Sequence, residues 1–321
     1  MKLDVLQLTK IVGDRAKESE PLFKYSTFKI GGKANLFVLA NTTEELIATV
    51  DIARKSKTPY VVIGGGSNVL FNDNGFDGLV IKINSGRIKL DKDIIESDAG
   101  VALAKVLGQA ISWNLGGLEW CAGIPGTIGG AVRGNAGAYG KDISSNVLYI
   151  KVLRNGKIKK LSNKNCKFSY RNSVFKEEGN NDVIISVALK LEKSDMEELK
   201  NKVKNILKER TLKFEGFSAG CVFKNIEVTQ NEIGKFKMQN PDFPDQFVEY
   251  KKIPAAWLID QCGLKGREIG GAKISENHAA IITNTGKATA ENVIMLISII
   301  KQKVRSKFNL QLMEEIEYVG F

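Results

Sequence analysis

The chain has 321 residues, 43% of them apolar, enough for about two domains with proper cores, yet no apolar run reaches the roughly 20 residues of a membrane helix. Its 47 basic and 36 acidic residues give +11, but the lysines are scattered and no basic run is interleaved with aromatics, so anionic small molecules are expected as partners and nucleic acid is not. Cysteines at 121, 166, 221 and 262 lack Cys-x-x-Cys spacing and His278 is the sole histidine, so no metal is expected; reduced thiols and an N-terminus without a signal peptide's apolar centre fit the cytoplasm.

Residues 1–24 read as a lead-in with a short amphipathic helix. Thr42-Thr43-Glu44-Glu45 forms a capping box ahead of Leu46, Ile47 and Val50, which share a helical face. The β-branched run Tyr60–Ile63 is predicted as a short buried strand, and it stops at Gly64-Gly65-Gly66-Ser67-Asn68. Residues without Cβ atoms can turn successive N–H groups toward one point, and Ser67 and Asn68 add side-chain donors. Such a loop can cradle a diphosphate. A tight turn between two buried strands is the plainer reading of the same glycines. A P-loop is excluded because no glycine is followed by Lys-Ser or Lys-Thr, and a Rossmann fingerprint because Val69 stands where a third glycine is needed.

A second strand is expected at 79–83 and a helix at 101–114. Residues 121–140 then hold seven glycines and one charge, Arg133, mixed with Ile124, Ile128, Ala131 and Val132. A flexible linker would be polar and serine-rich. This backbone instead suits close packing on something flat, such as a planar cofactor. Strands follow at 147–153 and 183–191, the second with Val183, Ile185, Val187, Leu189 and Leu191 alternating onto one face. Ser194 caps a helix carrying Leu199, Val203, Ile206 and Leu207 on one face, and the domain boundary is placed near residue 210. Beyond it come a turn-rich stretch at 240–245, a helix at 255–262, a strand at 279–282, and a long helix capped by Thr289 with Val293, Leu296, Ile297, Ile300 and Val304 inward. Strands and helices in this order indicate an α+β protein.

Eight segments, in order from about residue 25 to the C-terminus, carry a family resemblance. They are Tyr25-Ser-Thr-Phe-Lys-Ile-Gly-Gly-Lys-Ala34, Gly64-Gly-Gly-Ser-Asn68, Gly123-Ile-Pro-Gly-Thr-Ile-Gly-Gly-Ala131, Asn135-Ala-Gly-Ala-Tyr-Gly140, Tyr170-Arg-Asn-Ser-Val-Phe-Lys176, Ser218-Ala-Gly-Cys-Val-Phe-Lys-Asn225, Ala256-Trp-Leu-Ile-Asp-Gln-Cys-Gly-Leu-Lys-Gly266 and Leu312-Met-Glu-Glu-Ile-Glu-Tyr-Val-Gly320. Together they resemble the UDP-N-acetylenolpyruvoylglucosamine reductase (MurB) family. The resemblance implies an FAD-binding domain of the PCMH/vanillyl-alcohol-oxidase type in 1–210, with its core at about 25–193. An α+β substrate-binding domain in 211–321 would follow. It also implies NADPH as cosubstrate and UDP-N-acetylglucosamine enolpyruvate as substrate, in peptidoglycan precursor synthesis.

The resemblance further implies that Thr27, Gly64, Gly65, Gly66, Ser67, Asn68, Gly123, Ile124, Pro125, Gly126, Gly129, Gly130 and Ala131 hold FAD. The attachment would be noncovalent, since covalent relatives use His or Cys beside the cradle and the loop 64–68 has neither; Cys121 is the residue that could contradict this. Arg171 and Glu315 would stabilise charge on the substrate carboxylate and Cys221 would donate the proton. A guanidinium offers a carboxylate a rigid, permanently charged fork. Glu315, chosen over Glu314 and Glu317 by its spacing from Leu312 and Gly320, would need a pKa raised by burial to assist an anion. Cys221 stands where the family usually has serine, and a thiol is a better acid than an alcohol. Tyr139, Lys224, Asn225, Lys265 and His278 match positions near the UDP-sugar, although His278 reads equally as a core histidine. The stretch between Asn225 and Ala255 is long, as in relatives with a substrate-covering loop, while 175–197 is too short for the insertion that usually accompanies it; the role of Tyr250 stays open. An oxidase of the same flavin fold and an anion-binding protein without catalysis are the alternatives, separated by whether NADPH delivers electrons and whether flavin binds at all.

Overall fold

A computed structural model of the chain describes residues 3–211 and 216–321. Near the N-terminus, Ala16–Pro21, Lys33–Ala40, Phe76–Ile83 and Tyr60–Ile63 lie side by side in that order. The last three run parallel. Parallel strands of one sheet need a crossover, supplied here by the helix Thr43–Lys55 between Lys33–Ala40 and Tyr60–Ile63, which flank Phe76–Ile83. Thr42 caps that helix, accepting from Glu45 N at 3.1 Å, while the Glu45 carboxylate takes both Arg15 amino groups at 2.6 Å and so ties the helix to the lead-in. Tyr60–Ile63 forms as expected but is not a buried strand: it lies at the sheet edge, and of its four residues only Ile63 is fully buried.

The second sheet is antiparallel, in the order Lys157–Ser162, Val147–Arg154, Val183–Lys190, Ile94–Asp98, Ile88–Asp91. Its middle strand, Val183–Lys190, is buried at every residue but Lys190, so the alternation expected of it is absent. A central strand has two covered faces, and one of them receives the short helix Ile128–Arg133. The approach there is close: a Cβ on Gly129 would stand 2.8 Å from the Cβ of Ala99. The following helix, Met196–Thr211, starts one residue later than expected. Its cap is Asp195, whose carboxylate accepts from Glu197 N and Glu198 N, each at 3.0 Å. The start of the second domain expected just past residue 210 falls against 212–215, which lie outside the described residues.

The C-terminal part builds a smaller antiparallel sheet in the order Phe217–Cys221, Ile281–Asn284, Ala272–Ile274, Glu268–Ile269. The helix Ala290–Phe308, capped by Thr289, buries Val293, Leu296, Ile297, Ile300 and Val304. A helix without a sequence expectation, Gln230–Gln239, is opened by a complete capping box of Thr229 and Glu232.

Chain order does not separate the cores. Phe28, Ile30 and Leu70 pack with Val222, Phe223, Leu312 and Ile316. Buried Asn284 donates to Phe28 O at 3.1 Å and to Lys29 O at 3.3 Å. The closing strand Glu317–Val319 then returns to run parallel with Val69–Phe71, directly after the glycine loop. That return brings the C-terminal segment beside the glycine loop.

Candidate functional site

The glycine loop is held from three sides. Lys82 Nζ donates to Gly64 O at 2.7 Å, Thr27 N donates to Gly66 O at 3.1 Å, and Ser67 Oγ donates to Pro125 O at 3.1 Å. None of the described residues accepts a hydrogen bond from the backbone N–H of Gly65, Gly66 or Ser67, although Gly66 is buried. Three successive unengaged N–H groups form a nest for an anion. Thr27 acts through its backbone, its hydroxyl being donated to Ser218 O at 2.7 Å. Asn68 likewise spends its amide on Glu315 O, at 3.0 Å.

The second arm comes within contact of the first. A Cβ built on Gly65 would stand 2.7 Å from Gly126 Cα, closer than real Cβ contacts allow. Gly123 and Gly126 take φ of 75° and 115°, a region that suits glycine. Thr127 caps the helix Ile128–Arg133 by accepting from Gly130 N, Gly129 N bonds to Ala99 O, and Ala131 is buried in the main core while Ile124 packs at its edge. These contacts make Gly65→Ala a sharp test. The added methyl should separate the arms and lower FAD affinity by about tenfold or more, read from the flavin absorbance retained on purification. Full retention would mean that the arms do not act together.

Beside the nest lies a charged cluster drawn from distant segments. Arg171 Nε is 2.8 Å from Glu315 Oε1, with side chains 22% and 20% exposed. Arg171 sits at the tip of a tight turn closed by paired bonds between Ser169 and Asn172, each 3.1 Å, and it takes a left-handed φ of 53°. Non-glycine residues hold that conformation only where their surroundings impose it. Here its Nη2 is anchored on Gly137 O at 2.8 Å, and buried Asn135 donates to Ser169 O at 2.9 Å. From the C-terminal segment, Glu315 N donates to Val222 O at 2.7 Å, fixing Glu315 next to Cys221.

The electrostatics follow from this crowding. Burial pushes the Glu315 carboxyl above its ordinary value, against the downward pull of Arg171, Lys176 and Lys224. Burial and the neighbouring Lys176 hold the Lys224 ammonium below its ordinary value. Burial also raises the Tyr170 hydroxyl, which accepts from Asn225 N at 3.3 Å. Glu317 is held between Lys176 at 2.6 Å and Arg133 at 3.0 Å, and its carboxyl is lowered because these cations outweigh burial. More cations than carboxylates meet here, as an anionic substrate requires.

A family model described as "UDP-N-acetylenolpyruvoylglucosamine reductase, C-terminal domain" matches residues 212–319, and one described as "FAD binding domain" matches 34–162. The UDP-N-acetylenolpyruvoylglucosamine reductase of Clostridium botulinum is 35% identical, over 98% of this chain and 96% of that protein. The chain belongs to the UDP-N-acetylenolpyruvoylglucosamine reductase family. The reductase of Solibacter usitatus is 34% identical over 98% of this chain and all of its own length. The crystal structure of the reductase from Thermus caldophilus superposes with a TM-score of 0.73 at 29% identity, covering 95% of this chain and 98% of that one. An FAD-binding part followed by a family-specific C-terminal part is therefore the fold class of this reductase family member, as expected.

Of the residues that the family pattern singles out, the structure gathers Arg171, Glu315, Cys221, Lys224 and Asn225 through the contacts above. Asn225 also caps the next helix, its side-chain oxygen accepting from Ala255 N at 3.1 Å. Tyr139 is half exposed and lies under the Arg210 guanidinium, 5.5 Å from its ring centre. Lys265 pairs with Asp260 at 2.9 Å. His278 lies in the turn leading into Ile281–Asn284, the strand that pairs with Cys221. Among the described residues, no group of three or more His, Cys, Asp or Glu could hold a metal, and no helix is long and apolar enough to cross a membrane. Sequence reasoning gave no role to Lys82, Arg133, Asn135, Lys176 or Glu317. The signal for Lys82 was legible, as a charge inside an apolar strand; the others are defined only by long-range contacts.

Proposed function

We propose that this chain reduces UDP-N-acetylglucosamine enolpyruvate to UDP-N-acetylmuramate in peptidoglycan precursor synthesis, in the cytoplasm, with NADPH as donor and noncovalent FAD as carrier. The observation carrying this reading is the Arg171–Glu315 pair beside an unengaged nest of backbone N–H groups, in a chain of this family. The nest and the glycine arms fit the diphosphate and flat ring of FAD, which when bound supplies the hydride and is recharged by NADPH. Residues 1–210 form the FAD-binding domain, which also lends Arg171 and Tyr139 to the substrate, and 211–321 form the substrate-binding domain. Arg171 grips the enolpyruvyl carboxylate, Glu315 eases the negative charge that develops there, and Cys221 gives the proton to the carbon. Tyr139, Lys224, Asn225, Lys265 and His278 bind the nucleotide-sugar, Lys265 and His278 meeting its diphosphate. Covalent attachment through Cys121 is disfavoured, since its thiol is 1% exposed and burial pushes it up to about 12.

The test is an anaerobic absorption spectrum of the purified protein, taken before NADPH, after NADPH, and again after the enolpyruvyl nucleotide. A flavin band that bleaches and then returns supports both halves of the reaction. A band that bleaches with NADPH but returns only with oxygen favours an oxidase, and a protein that takes up no FAD removes the reading.

A further inference from the structure

Lys82 occupies a place where a parallel sheet ordinarily carries an apolar side chain. Its strand, Phe76–Ile83, is interior to the first sheet, and Lys82 lies in register with Leu39 on one side and Ile63 on the other. Leu79, Val80, Ile81 and Ile83 around it are buried. Even partial burial of an ammonium without a carboxylate is costly. No ion pair of Lys82 is found among the described residues, and burial alone pulls its ammonium below the ordinary range. Its hydrogen bond goes to Gly64 O, at 2.7 Å.

That bond sets the direction of a peptide. In a trans peptide the C=O and the following N–H point opposite ways, and no cis peptide bond occurs among the described residues. Holding Gly64 O toward the sheet therefore turns the Gly65 N–H outward, into the nest. Thr27 does the same for the Ser67 N–H by holding Gly66 O. Unlike Thr27, Lys82 brings a full charge, which polarises the Gly64–Gly65 peptide and stands behind the donors that would meet an anion. We infer that Lys82 is a positioning residue for the cofactor diphosphate: it orients the Gly64–Gly65 peptide and supplies partly buried positive charge beneath the loop. The inference rests on the reading that this loop receives FAD. The partly buried ammonium on one side of that peptide group and the diphosphate on the other then complete each other across it.

Flavin-free protein titrated separately with FAD and with riboflavin, which lacks the diphosphate, tests this in the wild type and in Lys82→Met, Lys82→Gln and Lys82→Arg. Lys82→Met and Lys82→Gln should weaken FAD by about tenfold while leaving riboflavin within about twofold, and Lys82→Arg should recover most of the loss. Lys82→Gln keeps a donor without the charge, so it carries the test should Lys82→Met not fold, with thermal melting of each flavin-free variant as the folding control. Equal losses for FAD and riboflavin, or unchanged FAD affinity, would overturn the inference while leaving the proposed function standing. A wild-type protein that binds no FAD would overturn both.

Discussion

Cys221→Ala should leave the NADPH half-reaction unchanged and slow the enolpyruvyl half-reaction by about a hundredfold or more, the usual range for removing a positioned proton donor. The two half-reactions differ in what they ask of the protein. Accepting electrons from NADPH needs no proton on a substrate carbon, whereas saturating the enol ether does. Cys221 ends the strand Phe217–Cys221 and lies in register with Ile281. The next residue is clamped on both sides: Val222 N donates to Ala280 O at 2.8 Å and Val222 O accepts from Glu315 N at 2.7 Å. The thiol is thus set on rigid backbone one residue from the point that fixes Glu315, which is the placement a proton donor would need relative to the proposed carboxylate-stabilising pair. Cys221→Ser should keep most of the rate, because a hydroxyl preserves donor and shape. Rapid-mixing traces of the two half-reactions decide it, and a Cys221→Ala enzyme with both rates intact would assign the thiol to packing alone.

How much of this was readable in the sequence depends on whether the information is local. The glycines of 64–66 and 123–130 announce bare backbone, and the Thr289 cap and its inward apolar positions announce the last helix almost residue by residue. Neighbour order in a sheet is not local. Tyr60–Ile63 has the composition of a buried strand and lies at an edge, while Val183–Lys190 has an alternating pattern and is covered on both faces. Ile88–Asp91 and Lys157–Ser162 went unrecognised because lysines and aspartate interrupt their apolar residues, as suits strands at the two edges of their sheet. The site divides in the same way. Family spacing pointed to Arg171 and Glu315 separately, but the turn that strains Arg171, the Asn135 bond that supports it and the Asn68 bond that holds Glu315 all join segments far apart in the chain.

Glu315→Gln should remove an alkaline limb from the pH profile of the enolpyruvyl half-reaction, and Glu315→Ala should slow that half-reaction by about a hundredfold or more. The wild-type carboxyl carries opposing influences. Arg171 at 2.8 Å, Lys176 and Lys224 favour the ionised form, and burial, the largest influence, favours the neutral one and raises the pKa above its ordinary 4.5. A neutral carboxyl can donate a hydrogen bond to the substrate carboxylate as charge gathers on it; an ionised one repels that charge and ties up Arg171. The wild-type rate should therefore hold while Glu315 is protonated and fall as pH rises through its raised value, whereas glutamine, neutral at every pH, shows no such fall. The stability sign is the same. A folded-state pKa raised above the unfolded one contributes stability that is fully present below the ordinary value near 4.5 and is lost as pH rises through the folded value. The melting temperature of the wild type should accordingly drop relative to Glu315→Gln across that window. A gap between the two proteins that stays constant with pH would mean that Glu315 is already ionised at its low end, held as a plain ion pair by Arg171, and the charge-easing role would pass to Arg171 alone.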